Sequence, residues 1–119
     1  MGKDPVETIK YFGGIKKLFK VHFRNVSAPL PHFTESLIDD GYYDMSKVMQ
    51  ALVDVNFDGI AIPDHIPGLG SDPRAEDSGG RGGAARGPGA PFRASPALAY
   101  LIGCMQSMLK AAQSHKGRA

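Results

Sequence analysis

Hydrophobic and polar residues alternate along residues 18–26, which read LFKVHFRNV. The apolar positions in this alternation are Phe19, Val21 and Phe23. The polar positions between them are Lys20, His22 and Arg24. Because successive side chains of a strand point to opposite faces, the pattern predicts a strand with one apolar face and one face carrying an imidazole and a guanidinium.

The segment before this strand has the features of a short helix over residues 4–13. Asp4 is a suitable N-cap, and Pro5 fits the first helical position. Gly13 and Gly14 then end the predicted helix, because glycine favours the backbone conformation that follows a helix.

A second helix is predicted after Asp44, which can cap its amino terminus. Four apolar residues recur at helical spacing and form one stripe: Met45, Val48, Met49 and Leu52. Asn56 is suited to a left-handed conformation at the end of this helix. The connection before it, residues 27–43, is long for a compact domain and carries the acidic residues Glu35, Asp39 and Asp40.

Residues 59–65, GIAIPDH, predict a second strand, apolar enough to be buried on both faces. Two strands separated by a helix favour a parallel pair with a crossover, so the fold class is α/β. Residues 66–94 are rich in Gly, Pro and Arg, and we expect disorder there. A third helix is predicted from Ser95 to about Ala112, with an apolar stripe consisting of Leu98, Leu101, Ile102, Met105, Met108 and Leu109.

Composition limits the class of protein. The chain has 119 residues, enough for one domain, and a formal net charge of +2, which gives little support for binding to nucleic acid. Its single cysteine, Cys104, fits a reducing compartment. No apolar run approaches the length of a membrane span or a secretory signal, so we expect a cytoplasmic protein.

Polar residues gather at the predicted carboxyl ends of the two strands: His22 and Arg24 on the first, Asp64 and His65 on the second. In parallel α/β sheets these ends form the functional edge. Imidazole and carboxylate together suit manganese, iron(II) or zinc, and arginine can bind a carboxylate through two N–H groups. The alternatives are a hydrogen-bonded structural histidine, an Arg24 paired with Asp39 or Asp40, and a turn capped by Asp64.

Three segments together resemble the carboxyl-terminal part of mannonate dehydratase: KLFKVHFRNV, FTESLIDDGYYDMSKVMQALVDVNFDGIAIPDHIP and AYLIGCMQSMLKAA. The resemblance is nearly continuous over residues 3–67 and weaker over 97–112. It implies a xylose-isomerase-like TIM (β/α)8 barrel, of which this chain supplies two parallel strands and three helices. It also implies Mn²⁺ or Fe²⁺ and the dehydration of D-mannonate to 2-keto-3-deoxy-D-gluconate, in hexuronate breakdown.

The resemblance also assigns residues to the site. His22 and Asp64 match the family's metal ligands on the last two barrel strands. Arg24 matches a residue that meets the sugar acid, and Asn25 beside it is a second candidate for substrate binding. His65 matches the histidine of the PDH motif, and with Asp64 and Arg24 it completes the candidate catalytic set.

The chain also departs from the family pattern. Residues 1–65 form a partial barrel, 66–94 an insert, and 95–119 the final helix and tail. The family's other metal ligands, a histidine and a cysteine, lie on earlier strands that this chain lacks, and Cys104 does not replace that cysteine. We therefore expect a fragment of a longer product, or a chain that assembles with the missing strands, inactive and marginally folded alone.

The family's catalytic tyrosine, expected in the loop after the PDH strand, has no counterpart between His65 and Tyr100. The general acid is therefore open. Two other functions are weighed: an RNA-contacting module working through GGRGGAARG, and a non-catalytic relative that acts as a structural partner. The few arginines of the insert argue against the RNA module.

Overall fold

Three helices and two small sheets make up the part of the chain that the structure, a computed structural model, describes: residues 4–69 and 96–117. In chain order the elements are α1 (Pro5–Gly14), β1 (Lys20–Phe23), β2 (Asn25–Val26), β3 (Glu35–Ser36), α2 (Met45–Asp54), β4 (Ile60–Pro63) and α3 (Pro96–Lys116). Within these residues, no helix has both the length and the apolar character that crossing a membrane requires.

The predicted parallel pair is confirmed. β1 and β4 are parallel neighbours, with His22 opposite Ile62 and Phe23 opposite Pro63. The helix α2 lies between them in sequence and packs against α1 and α3. The chain is therefore α/β in this region, with both strands ending at the same edge.

The predicted strand over 18–26 is wrong in its length. Only Lys20–Phe23 pair with β4, and the chain then leaves that sheet at Arg24. Asn25–Val26 instead form a second, antiparallel ladder with Glu35–Ser36, which lie in the segment predicted as a loop, residues 27–43. This change of partner brings residues 27–43, here called the acidic segment, against the end of β1.

The apolar faces of the two strands are only partly covered. Phe23 is 1% exposed, whereas Phe19 is 71% exposed and Ile60 is 63% exposed. The prediction that β4 is buried on both faces is therefore wrong for this chain. Two strands make a sheet too narrow to bury both of its faces against three helices.

The first helix confirms its predicted cap, since the Asp4 carboxylate accepts hydrogen bonds from the backbone N–H groups of Val6 and Glu7. Its predicted end agrees to within one residue, since α1 ends at Gly14, but both glycines lie within the last turn and neither adopts the left-handed conformation. Gly13 serves packing instead, because a Cβ there would lie 2.5 Å from Cγ2 of Val55. The left-handed residue after the helix is Lys16, with φ 56°.

The second helix agrees with its pattern. The Asp44 carboxylate accepts a hydrogen bond of 3.1 Å from the Lys47 N–H, and Asn56 adopts φ 52° as predicted. The predicted stripe is buried, joined by Ala51. The core that it forms consists of Ile9, Phe23, Ile38, Met45, Val48, Met49, Ala51, Leu52, Leu101 and Ala112.

The third helix is longer than predicted and continues to Lys116. The Lys116 ammonium donates to the carbonyl of Val53 at 2.8 Å and to Oδ1 of Asn56 at 2.6 Å, which ties α3 to the end of α2. The predicted stripe is wrong at Ile102 and Leu109, each 39% exposed.

The helix α3 buries Ala97, Leu101 and Ala112. Residues 66–69 have no regular secondary structure. The rest of the predicted disordered insert, residues 70–94, lies outside the described residues, as does Ser95.

Candidate functional site

The ends of the two parallel strands bring the predicted metal ligands together. His22 lies on β1, and Asp64 follows β4 by one residue. His22 Nδ1 is 3.6 Å from Asp64 Oδ2, with the carboxylate side chain 21% exposed. This distance confirms the prediction that the two side chains lie together at one edge of the sheet.

Arg24 joins the same site through two carboxylates. Its Nη1 donates to Glu35 Oε1 at 2.6 Å, and its Nε lies 3.6 Å from Asp64 Oδ2. The guanidinium carbon is 5.7 Å from the ring centre of Phe33, a cation–π contact. The alternative pairing with Asp39 or Asp40 is wrong, because Arg24 pairs with Glu35.

His65 completes the group of predicted residues. Its Nδ1 lies 3.5 Å from Glu35 Oε1, and its Nε2 lies 3.7 Å from Asp64 Oδ1. The imidazole is 71% exposed, so its open face is available to a ligand. Two imidazoles and one guanidinium therefore surround two carboxylates at the strand ends.

Glu35 is the site residue that sequence reasoning missed. The sequence places it in an acidic loop with Asp39 and Asp40, and no local pattern separates the three. In the structure β3 carries Glu35, opposite Val26, and directs its carboxylate at Arg24 and His65. Its other oxygen, Oε2, is buried and has no hydrogen-bond partner among the residues that the structure describes.

Asn25, the second candidate for substrate binding, is buried at the start of β2. It is 1% exposed, and its amide nitrogen donates to the carbonyls of Ile38 and Tyr43. Its amide oxygen accepts from the backbone N–H groups of Val26 and Tyr43. Three of these hydrogen bonds join Asn25 to the acidic segment, so contact of the amide with a substrate would require them to open.

Close packing around Asn25 also supports a structural role for its side chain. A Cβ at Gly41 would lie 2.3 Å from Cγ of Asn25, so the loop backbone approaches the amide as closely as only glycine allows. Asn25 is thus placed to position the acidic segment that carries Glu35. The predicted binding of substrate by Asn25 stays a prediction.

The same acidic segment is tied to α3. The Tyr100 hydroxyl donates a hydrogen bond of 2.5 Å to Asp39 Oδ2. This bond raises the pKa of Tyr100, because ionisation would place a second negative charge beside the carboxylate. Cys104, one turn further along α3, is partly buried and packs against the core.

The donors available for a cation are a nitrogen and an oxygen. His22 and Asp64 offer the mixed set that suits Mn²⁺ or Fe²⁺, and they converge from two strand ends. Within residues 4–69 and 96–117, no group of three or more His, Cys, Asp or Glu side chains is arranged to hold a metal ion. The residues present therefore fit part of a coordination sphere.

Comparison with known proteins identifies the family. A structure described as mannonate dehydratase from Streptococcus suis serotype 2 superposes with a TM-score of 0.67 at 22% sequence identity. The match covers 96% of this chain but only 29% of the Streptococcus suis chain. In sequence, residues 1–115 match the family described as D-mannonate dehydratase (UxuA). The chain belongs to the UxuA family of D-mannonate dehydratases.

Proposed function

We propose that this chain forms the last two strand–helix units of a xylose-isomerase-like (β/α)8 barrel that dehydrates D-mannonate. The product would be 2-keto-3-deoxy-D-gluconate, formed in a cytoplasmic step of hexuronate breakdown. The observation that carries the proposal is the 3.6 Å approach of His22 and Asp64 at the carboxyl ends of adjacent parallel strands. In (β/α)8 barrels the active site occupies that end of the strands.

The barrel itself is supported by topology. Two adjacent parallel strands with a helix between them in sequence form the repeating unit of such a barrel. The chain spans 29% of the length of the mannonate dehydratase structure that it matches. We propose that the remaining strands, on the same or another chain, pair with the edges of this sheet and cover Phe19 and Ile60.

Mn²⁺ or Fe²⁺ would be held by His22 and Asp64, with further ligands from the remaining strands. The support is the chemistry of the donors: one imidazole and one carboxylate, facing each other across the sheet edge. When bound, a divalent cation supplies positive charge beside the substrate carboxylate and its leaving hydroxyl.

The other side chains are placed for the acid–base work. Dehydration removes a proton from the carbon beside the carboxylate and expels a hydroxyl, which leaves as water, and the resulting enol becomes the keto product. Arg24 would orient the sugar-acid carboxylate through its guanidinium. His65 would take the proton, since its exposed imidazole adjoins the Asp64 carboxylate.

The experiment is a fusion in which residues 1–119 replace the matched segment of the Streptococcus suis protein, here called the completed barrel. With Mn²⁺ it should convert D-mannonate to 2-keto-3-deoxy-D-gluconate, and chelation should abolish the reaction. The unmodified Streptococcus suis protein is the positive control. A folded fusion without product, beside an active control, would contradict the proposal.

A further inference from the structure

We infer that Tyr100 is a positioning residue: from α3 it holds the acidic segment and thereby keeps Glu35 at Arg24. The Tyr100 hydroxyl donates to Asp39 Oδ2 at 2.5 Å, across 61 positions of the sequence. The inference rests on the proposed function, because Arg24 is assigned there to the sugar-acid carboxylate. Tyr100 acts through Asp39 and need not touch the substrate.

The acidic segment carries two carboxylates that have different partners. Asp39 accepts from the hydroxyl of Tyr100 on α3, whereas Glu35 Oε1 accepts from Arg24 Nη1 at 2.6 Å. Only a short stretch of backbone, residues 35–39, joins the two carboxylates. The position of Asp39 therefore affects the position of the residue that pairs with Arg24.

The backbone between the two carboxylates is held in place. Ile38 is 1% exposed and belongs to the same buried core as Leu101 of α3. The Asp40 N–H donates to the Leu37 carbonyl at 3.2 Å, which closes a turn. Because closely packed side chains transmit small displacements, a shift at the α3 end of this stretch is passed to Glu35.

The acidic segment is attached to two different elements, and Tyr100 supplies the attachment to α3. At β2, the buried Asn25 amide donates to the carbonyls of Ile38 and Tyr43. Attachment to both β2 and α3 fixes the orientation of the segment as well as its position. The bond to Asp39 raises the pKa of Tyr100, so at neutral pH the hydroxyl keeps the proton that it donates.

The test measures the steady-state kinetics of the completed barrel with D-mannonate. Tyr100→Phe removes only the hydroxyl and should raise KM by about threefold to tenfold, the size expected for one hydrogen bond, while kcat changes by less than about twofold. Asp39→Ala should have the same effect, and the double variant should add little to either, because both changes break one bond. Tyr42→Phe, which removes an exposed hydroxyl from the same segment, is the matched control and should leave KM unchanged.

Amide hydrogen exchange of the same variants, followed by mass spectrometry, shows whether loss of the bond reaches Glu35. In Tyr100→Phe the amides of residues 40–43 and those of β3 should both exchange about threefold to tenfold faster than in the control. Faster exchange over residues 40–43 with no change at β3 would overturn the inference, because the hold would then be local to Asp39. A KM equal to that of Tyr42→Phe, or additive effects of the two single variants, would also overturn it.

The two readouts separate the inference from the proposed function. Faster exchange both at residues 40–43 and at β3 in Tyr100→Phe, in a folded completed barrel that makes no product, would remove the lyase and leave the positioning of Glu35 by Tyr100 supported. Turnover of D-mannonate with KM and exchange both unchanged in Tyr100→Phe would overturn the inference and keep the lyase.

Discussion

His22 and Asp64 face each other across a parallel strand pair, with 3.6 Å between Nδ1 and Oδ2. The two residues do not form a sequence-local metal-binding motif, and they meet because the register sets Phe23 opposite Pro63 at the strand ends. The acidic segment supplies Glu35 to the same edge. The site is thus assembled by pairing of backbones rather than by any contiguous sequence signature.

Asp64→Asn should remove most of the metal from the completed barrel and lower kcat at least about 100-fold, because a neutral amide is a poor metal ligand. Asp58→Asn is the matched control, since Asp58 is exposed before β4. Metal content by mass spectrometry and initial rates check both. Unchanged metal and turnover in Asp64→Asn would exclude Asp64 as a ligand.

Arg24→Lys should raise the KM for D-mannonate by about tenfold to 100-fold, because lysine cannot reproduce a two-point contact with a carboxylate. Arg24 also approaches Glu35 and Asp64 with two different nitrogens, which one ammonium cannot do. Steady-state kinetics of the completed barrel measure the effect. Lys20→Arg, an exposed change on the same strand, serves as control, and an Arg24→Lys KM equal to the control's would refute the assignment.

The two adjacent glycines of α1 should respond in opposite directions to alanine. Gly13→Ala should destabilise the chain by about 1–3 kcal/mol, because its Cβ would lie 2.5 Å from Val55 and force the helices apart. In the described part of the chain, no atom lies within 4 Å of such a Cβ on Gly14, so Gly14→Ala should stabilise by about 0.5–1 kcal/mol. Urea unfolding followed by circular dichroism measures both. Equal effects would mean that α1 does not pack on Val55.

Tyr100 should ionise above the usual tyrosine range. Its bond to Asp39 raises the pKa of the folded state, so the contribution to stability is complete below about pH 10 and is lost as pH rises through the folded-state pKa. Tyr100→Phe should therefore delete the component of the tyrosinate absorbance titration that lies above pH 10. A deleted component at or below the ordinary value would show that the hydrogen bond to Asp39 does not form.

Local patterns were sufficient to predict that the three helices and the parallel strand pair exist, and where α1 and α2 begin. Asp4 and Asp44 cap where their side chains predict, and the α2 stripe is buried as its spacing predicts. The alternation of residues 18–26 did not reveal the change of partner at Arg24, because β2 and β3 are two residues long and have no measurable period. Glu35 was therefore hidden in a segment that reads as a solvated loop.

The end of α3 and the role of Asn25 depend on distant partners. The last turn of α3, which ends at Lys116, is polar, so no apolar stripe predicts it. This turn is held because the Lys116 ammonium donates to Val53 and Asn56 at the end of α2. Asn25 is polar in sequence but buried in the structure, because the backbone of Ile38 and Tyr43 satisfies its amide. The spacing of residues along the sequence predicts neither the Lys116 contacts nor the burial of Asn25.

The central claim is that His22 and Asp64 bind one cation together. Crystals of the completed barrel grown with Mn²⁺ and measured at the manganese absorption edge test it directly. One anomalous peak should lie in contact with both a His22 ring nitrogen and an Asp64 carboxylate oxygen. A peak bound by neither residue, or by only one of them, would contradict it.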